Sequence, residues 1–146
     1  MALVAYIMVP AFWAGLLIGV CYVAGPAKFL TRPAARPAAP GMGRDAFTIW
    51  NDTEWAILAM LVFPLLFVPA SRFTAISTLL LGILLLTQST ILLPALNAQV
   101  QAIQAGGRPA VSFDHKTYIA VDALKLLILA TIAWKQCGEM AFPVSP

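Results

Sequence analysis

Charge is what this chain of 146 residues has least of: 10% of its residues are Asp, Glu, Lys or Arg, while 61% are hydrophobic. A soluble domain carries about 25% charged and roughly 45–50% apolar residues, and a chain this short has too little interior to hide the excess. An ordinary water-soluble globule is excluded. Disorder is excluded too, because it needs low hydrophobicity and high net charge. Histidine occurs once, as His115. A bis-histidine haem therefore lacks its second ligand within the chain, and the Glu-x-x-His motifs of dicarboxylate iron sites are missing. The two cysteines, Cys21 and Cys137, show no Cys-x-x-Cys or Cys/His spacing. Neither a zinc site nor a redox pair follows, and both read as small apolar filler. No Walker loop is present, and Gly41-Met42-Gly43 is too short to cradle a dinucleotide. No motif assigns a cofactor or a catalytic set, so the expectation is a protein that is not an enzyme.

What remains is a polytopic membrane protein with residues 1–146 as one integral membrane domain. The expected fold is an all-α, four-helix transmembrane bundle of antiparallel up-down topology, with helices at about 3–23, 46–70, 74–105 and 115–135. The uncharged run 2–27 has no basic residue before Lys28. It is too long for the apolar region of a cleaved signal and long enough to span a bilayer, so it is read as a retained helix. Pro10 sits inside it and is expected to kink it. Ala11, Gly15 and Gly19, four apart, form a small-residue row that lets another helix approach closely. The stretch 25–44, rich in Pro, Ala and Arg, reads as a loop, with Asp45 capping the second helix. Pro64 and Pro69 bend or end that helix. Ser71-Arg72 is the shortest connection. Gly106-Gly107 ends the third helix, and Ser112 or Asp114 caps the fourth.

The chain has nine basic and six acidic residues, a formal charge of +3. The basic ones concentrate in two loops, which reads as membrane topology and not as a nucleic-acid surface. Lys28, Arg32, Arg36, Arg44, Arg108 and Lys116 lie on one side, and Arg72 and Lys135 on the other. Positive charge stays inside, so loops 25–45 and 106–114 are expected in the cytoplasm and both termini outside. The basic loop Lys28, Arg32, Arg36 and Arg44 suits anionic headgroups or an acidic partner surface, its plainer role being topology control.

Four ionisable residues interrupt the apolar runs: Asp52, Glu54, Asp122 and Lys125. Each costs about 2.5–3.5 kcal/mol at mid-membrane on insertion scales, so each needs a partner or a purpose. At 1.5 Å per residue, Asp52 and Glu54 lie roughly 9–14 Å, and Asp122 and Lys125 roughly 10–15 Å, past helix starts on the same side. Asp122 and Lys125, three apart, share a helix face, and Glu54 is expected to reach Lys125 across the bundle. The third helix contributes Thr87, Gln88, Ser89 and Thr90, with Asn97 nearer the surface. The expectation is one interior polar cluster centred on Asp52, Glu54, Gln88, Asp122 and Lys125. The four ionisable groups sum to −2, which a proton, Arg44 or His115 would offset. Three readings stay open: interhelical glue that fixes register, a ligand, proton or ion site, and a shallow arrangement that snorkels into headgroups.

Short motifs carry a resemblance. They are Trp13-Ala14-Gly15, Gly25-Pro26-Ala27-Lys28-Phe29, Phe47, Leu92-Leu93-Pro94-Ala95-Leu96, and Phe113 with His115. In these the chain resembles the small four-helix bacterial membrane proteins of unknown function that are distantly similar to copper-resistance protein D and to a eukaryotic transmembrane relative. The resemblance implies a multi-pass protein of the cell inner membrane and brings no established catalytic activity to carry over. Copper-resistance-like members would be expected to carry more His and Met on the outer side, whereas this chain's one His falls on the inner side.

The functional expectation is a non-catalytic accessory or structural subunit, with membrane lipids and other integral membrane subunits as partners. The alternative is a carrier or binding protein for a proton, an ion or a small hydrophobic molecule such as a quinone, using the polar cluster.

Overall fold

The computed structural model describes residues 2–24, 39–67, 71–106 and 113–141, which are helical apart from the turns and caps at their ends. Helix α1 (Ala2–Leu17) continues across Pro10 into a π-helical stretch, Ile18–Ala24. Helix α2 is Ala39–Leu65. Helix α3 (Arg72–Thr87) passes through a π-helical stretch (Gln88–Leu92) into α4 (Leu93–Gln104), making one rod. Helix α5 is Phe113–Ala141. The described residues thus form four rods and no strand.

The expected element boundaries need three corrections. Helix α2 begins at Ala39, six residues before Asp45, because Pro40 falls in the first turn, where a helix needs no amide donor. It ends at Leu65, just past Pro64, and not near residue 70. Helix α5 runs to Ala141, beyond the expected end at 135. The basic loop residues Lys28, Arg32 and Arg36 lie outside the described residues, as do the side chains of Arg44, Asp45 and His115.

Two local devices shape the third rod. Ser71 caps its start: the Thr74 amide donates to Ser71 Oγ at 3.3 Å. Near its middle, Pro94 has no amide proton, and its ring would crowd the carbonyl four residues back. The π stretch just before it absorbs the conflict, with the Leu93 amide donating to Gln88 O, five residues back. Gly106 ends the rod at φ 85, a left-handed conformation that glycine adopts without strain.

Each rod buries one stripe, alternating steps of four and three residues. On α1 it is Tyr6, Pro10, Trp13 and Leu17; on α2, Trp50, Glu54, Ile57, Leu61 and Pro64. On the third rod it is Thr74, Thr78, Leu81, Leu85, Gln88 and Leu92; on α5, Tyr118, Asp122, Lys125, Leu129, Ile132 and Gln136. This is the period of side-by-side helices packing knobs into holes. The apolar core joins Trp13 and Leu17 to Ile57, Leu61, Leu81, Leu85, Leu129 and Ile132.

The outside inverts the soluble pattern. Leu79, Leu127, Met60 and Phe12 are exposed, while Glu54, Gln88, Asp122 and Lys125 are buried. Three helical segments, Tyr6–Val23, Arg72–Ile103 and Lys116–Gly138, are long and apolar enough to cross a bilayer, as a membrane protein requires. Helix α2, at 27 residues, has the length, but its polar turn around Asn51, Asp52 and Glu54 interrupts its apolar run.

Candidate functional site

The polar centre lies inside the bundle, with all four rods contributing. Lys125 of α5 donates to both oxygens of Glu54 on α2, at 2.5 Å to Oε1 and 2.7 Å to Oε2. Its Nζ is also 3.0 Å from Asp122 Oδ1, one turn back on its own helix. Gln88 Nε2, at the start of the π stretch, donates to the same Asp122 oxygen at 2.8 Å. Trp13 Nε1 of α1 donates to Glu54 Oε1 at 3.1 Å. Glu54, Gln88 and Lys125 have no exposed surface and Asp122 is 2% exposed.

Each member stands on a buried stripe, which is why the rods bring them together. Glu54 is three residues before Ile57 and four after Trp50. Asp122 and Lys125 fall between Tyr118 and Leu129. A buried Lys with two carboxylates has its charge compensated and its three protons engaged, and that is the condition for keeping such a group away from water.

Asp52 does not join them: it is exposed. Its depth matches Glu54, but residues two apart on a helix point to nearly opposite sides, so the two carboxylates cannot share a face. Thr87 and Thr90 turn away as well, and their hydroxyls donate to their own helix at Ile83 O (2.9 Å) and Leu86 O (2.8 Å). Asn97 is half-buried.

With Asp52 outside, the buried charge is one Lys against two carboxylates, a formal −1. The neighbouring polar atoms are unevenly satisfied. Gln88 Oε1 and Tyr118 OH are buried and have no hydrogen-bond partner among the described residues. A recess of about 150 Å³, lined by Cys21 and Tyr22 of the π-helical stretch after α1 and by Ile119 and Asp122 of α5, lies beside the centre. Tyr22 and Ile119 are 40% and 44% exposed, so the recess opens on the outer face of the bundle.

A second network pins α2 to the third rod. Trp55 Nε1 donates to Ser89 Oγ at 2.9 Å, and Ser89 Oγ is 2.8 Å from Asn51 Oδ1 and 2.9 Å from Leu85 O, to either of which it can donate. Asn51 is 4% exposed. Ser89→Ala leaves a buried acceptor and an indole donor unpaired and is expected to cost about 1–2 kcal/mol. Thermal unfolding of the purified variant in mild detergent measures this; an unchanged midpoint would show that the bridge contributes nothing.

The row Ala11, Gly15 and Gly19 is exposed and lies off the buried stripe of α1. A Cβ placed on Gly15 or Gly19 would meet nothing within 4 Å. The row therefore does not pack this bundle, contrary to the simplest reading of a small-residue stripe. Trp13 is the site member that sequence reasoning missed, since it served there only as part of a short motif. Its place in the stripe Tyr6, Pro10, Trp13, Leu17 was the available signal.

No family model, curated protein or solved structure matches the chain. Among the described residues no group of three or more His, Cys, Asp or Glu side chains could hold a metal ion. The centre's chemistry is that of an ion pair with a surplus carboxylate, set beside an opening to the bilayer side.

Proposed function

We propose that the chain is a non-catalytic, multi-pass membrane subunit that docks other integral membrane proteins through the outward face of α1. The observation that carries this is the exposed row Ala11, Gly15 and Gly19, with open space beyond both glycines. In a bilayer, helices associate by close van der Waals approach, because lipid is as apolar as leucine and gives no hydrophobic drive. A flat strip of small residues facing outward suits such an approach. The internal charges act in the same reading as glue: they lock four helices in one register and leave the outer faces free.

Up-down topology supports this placement. Tyr6, early in α1, donates to Thr74, early in α3. Lys135, late in α5, donates to Ser71 at the start of that rod. With α2 as a further span, loops 25–45 and 106–114 fall on one side, the cytoplasmic side by positive charge. Kinship with the small four-helix bacterial membrane proteins rests on the short motifs.

The test is substitution of Gly15 and Gly19 by Leu. The monomer is expected to keep its thermal midpoint within about 1 kcal/mol, since nothing stands where the new side chains go. Recovery of the wild-type complex from native membranes in mild detergent is expected to fall several-fold. Unchanged recovery, or a chain that travels alone in the wild type, overturns the subunit reading.

The carrier reading has its own support: the buried formal −1 and the recess at Asp122. Under it, Lys125→Met or Glu54→Gln abolishes transport or binding in protein that is still folded, scored below the variant's own unfolding midpoint, without loosening any complex.

A further inference from the structure

The recess beside Asp122 has the dimensions and chemistry of a small binding site. Its volume of about 150 Å³ matches that of an engineered cavity that takes one benzene ring. Its walls are the Tyr22 ring, the Ile119 side chain and the Cys21 thiol, and Asp122 supplies its one ionisable oxygen pair. The mouth lies between Tyr22 and Ile119, which are exposed on the face of helices able to cross a bilayer. An occupant therefore arrives from the lipid phase. Ile119 is three residues past Lys116, where the apolar segment of α5 begins, and Tyr22 is one residue before Val23, where the segment of the first rod ends, so the recess lies at the edge of the spans, where rings with a polar tip settle.

Hydrogen-bonding capacity selects the occupant further. An ionised carboxylate only accepts. The three protons of Lys125 already face Glu54 Oε1, Glu54 Oε2 and Asp122 Oδ1. The cluster carries one surplus negative charge, and Gln88 Oε1, on the carboxamide that donates to Asp122, is a buried acceptor without a partner. The Tyr22 hydroxyl and the Cys21 thiol can donate to a guest, but as neutral donors; Asp122 is the charged group of the recess and only accepts. A hydrogen bond to a carboxylate is roughly twice as strong as a neutral one, so a guest that brings a donor is favoured over one that brings only carbonyl oxygens.

We propose that this recess binds the single-ring headgroup of a phenolic amphiphile dissolved in the bilayer, a hydroquinone being the representative, with its hydroxyl donating to the Asp122 carboxylate. The oxidised benzoquinone, which has no hydroxyl to donate, binds more weakly. The site holds the reduced form, and no electron transfer is involved. This inference needs the membrane placement and is independent of any docking partner, so the pull-down of the glycine variants and the titration described next fail separately.

The experiment uses the full chain in lipid nanodiscs, titrated calorimetrically with decyl-hydroquinone and with the matched decyl-benzoquinone, empty nanodiscs serving as the blank. The hydroquinone is expected to bind at least about tenfold tighter, the discrimination one hydrogen bond to a charged group provides. Ile119→Trp fills the recess without touching an ion pair and is expected to abolish saturable binding, with the helical circular dichroism of the wild type retained. Asp122→Asn is expected to bring the two affinities within about threefold, because an amide both donates and accepts. Equal affinity for the two forms in the wild type, no saturable hydroquinone binding, or a preference that survives Ile119→Trp overturns the proposal.

Discussion

Lys125→Met is expected to destabilise the protein by about 3–5 kcal/mol, the cost of stripping a buried ion pair of one partner. Wild type buries one positive and two negative charges, Glu54, Asp122 and Lys125. Removing the ammonium leaves two carboxylates facing each other with no counter-charge in a region that excludes water. Lys125 has no exposed surface, and Glu54 points both oxygens at it. Glu54 cannot relax to solvent without opening the bundle, and Asp122, 2% exposed, has only the narrow recess beside it. The neighbouring substitutions should follow the same charge count. Asp122→Asn leaves the Glu54–Lys125 pair and an oxygen that still accepts from Gln88, so its cost is expected below about 1.5 kcal/mol. Glu54→Gln loses the bidentate partner and weakens the acceptor for Trp13, so it falls in between. The double variant Glu54→Gln/Lys125→Met restores a single surplus charge and is expected to recover part of the loss. Unfolding midpoints of the four variants and wild type in one mild detergent decide the matter. A Lys125→Met midpoint equal to wild type would show that water reaches the centre.

Trp13→Ala is the second large effect. Trp13 is fully buried and is the largest apolar contact that α1 makes with the core. In a soluble protein such a truncation costs roughly 3–5 kcal/mol, part transfer from water and part cavity. Here the transfer part shrinks, because the unfolded helix would place the ring in lipid and not in water. What remains is lost dispersion contact across an interior that cannot collapse onto the gap, together with the hydrogen bond to Glu54 Oε1. The expected loss is therefore at the lower end, about 3 kcal/mol. Trp13→Phe separates the two parts: it fills most of the space but removes the indole donor, with an expected cost of about 1–2 kcal/mol. If Trp13→Phe costs as much as Trp13→Ala, the indole hydrogen bond outweighs the packing and the ring's bulk contributes little.

The polar cluster divides instructively between what local reasoning could and could not place. Depth along each helix follows from a fixed rise per residue, so Glu54, Gln88, Asp122 and Lys125 could be assigned a common level from residue numbers alone. Asp122 and Lys125 could also be assigned a shared face. Asp52 shares that level, but facing depends on which stripe the helix buries, and polar residues on several sides of the Asn51–Glu54 turn hide that stripe from a simple polar-versus-apolar reading. The four-three alternation of Trp50, Glu54, Ile57, Leu61 and Pro64 carries the information, with Asp52 off the sequence of steps. The partner of the row Ala11, Gly15 and Gly19 was out of reach for the same reason. Small residues mark a face fit for close approach, but do not say whether the approaching helix belongs to this chain. Trp13, two residues from Gly15 and on another side of α1, faces the core instead.

Composition pointed to a membrane protein, and the length of its continuous apolar runs, too long for membrane β-strands, pointed to helices. The glycine at the end of the third rod was legible, since it acts within one turn, whereas both ends of α2 and the far end of α5 were not. Only the tertiary structure decided which carboxylates meet Lys125, that Trp13 and Gln88 complete their hydrogen bonding, and that a recess opens at Asp122. Those facts depend on how each helix is rotated about its axis. Rotation is set by the packing of all four rods at once, and no single stretch of sequence contains it.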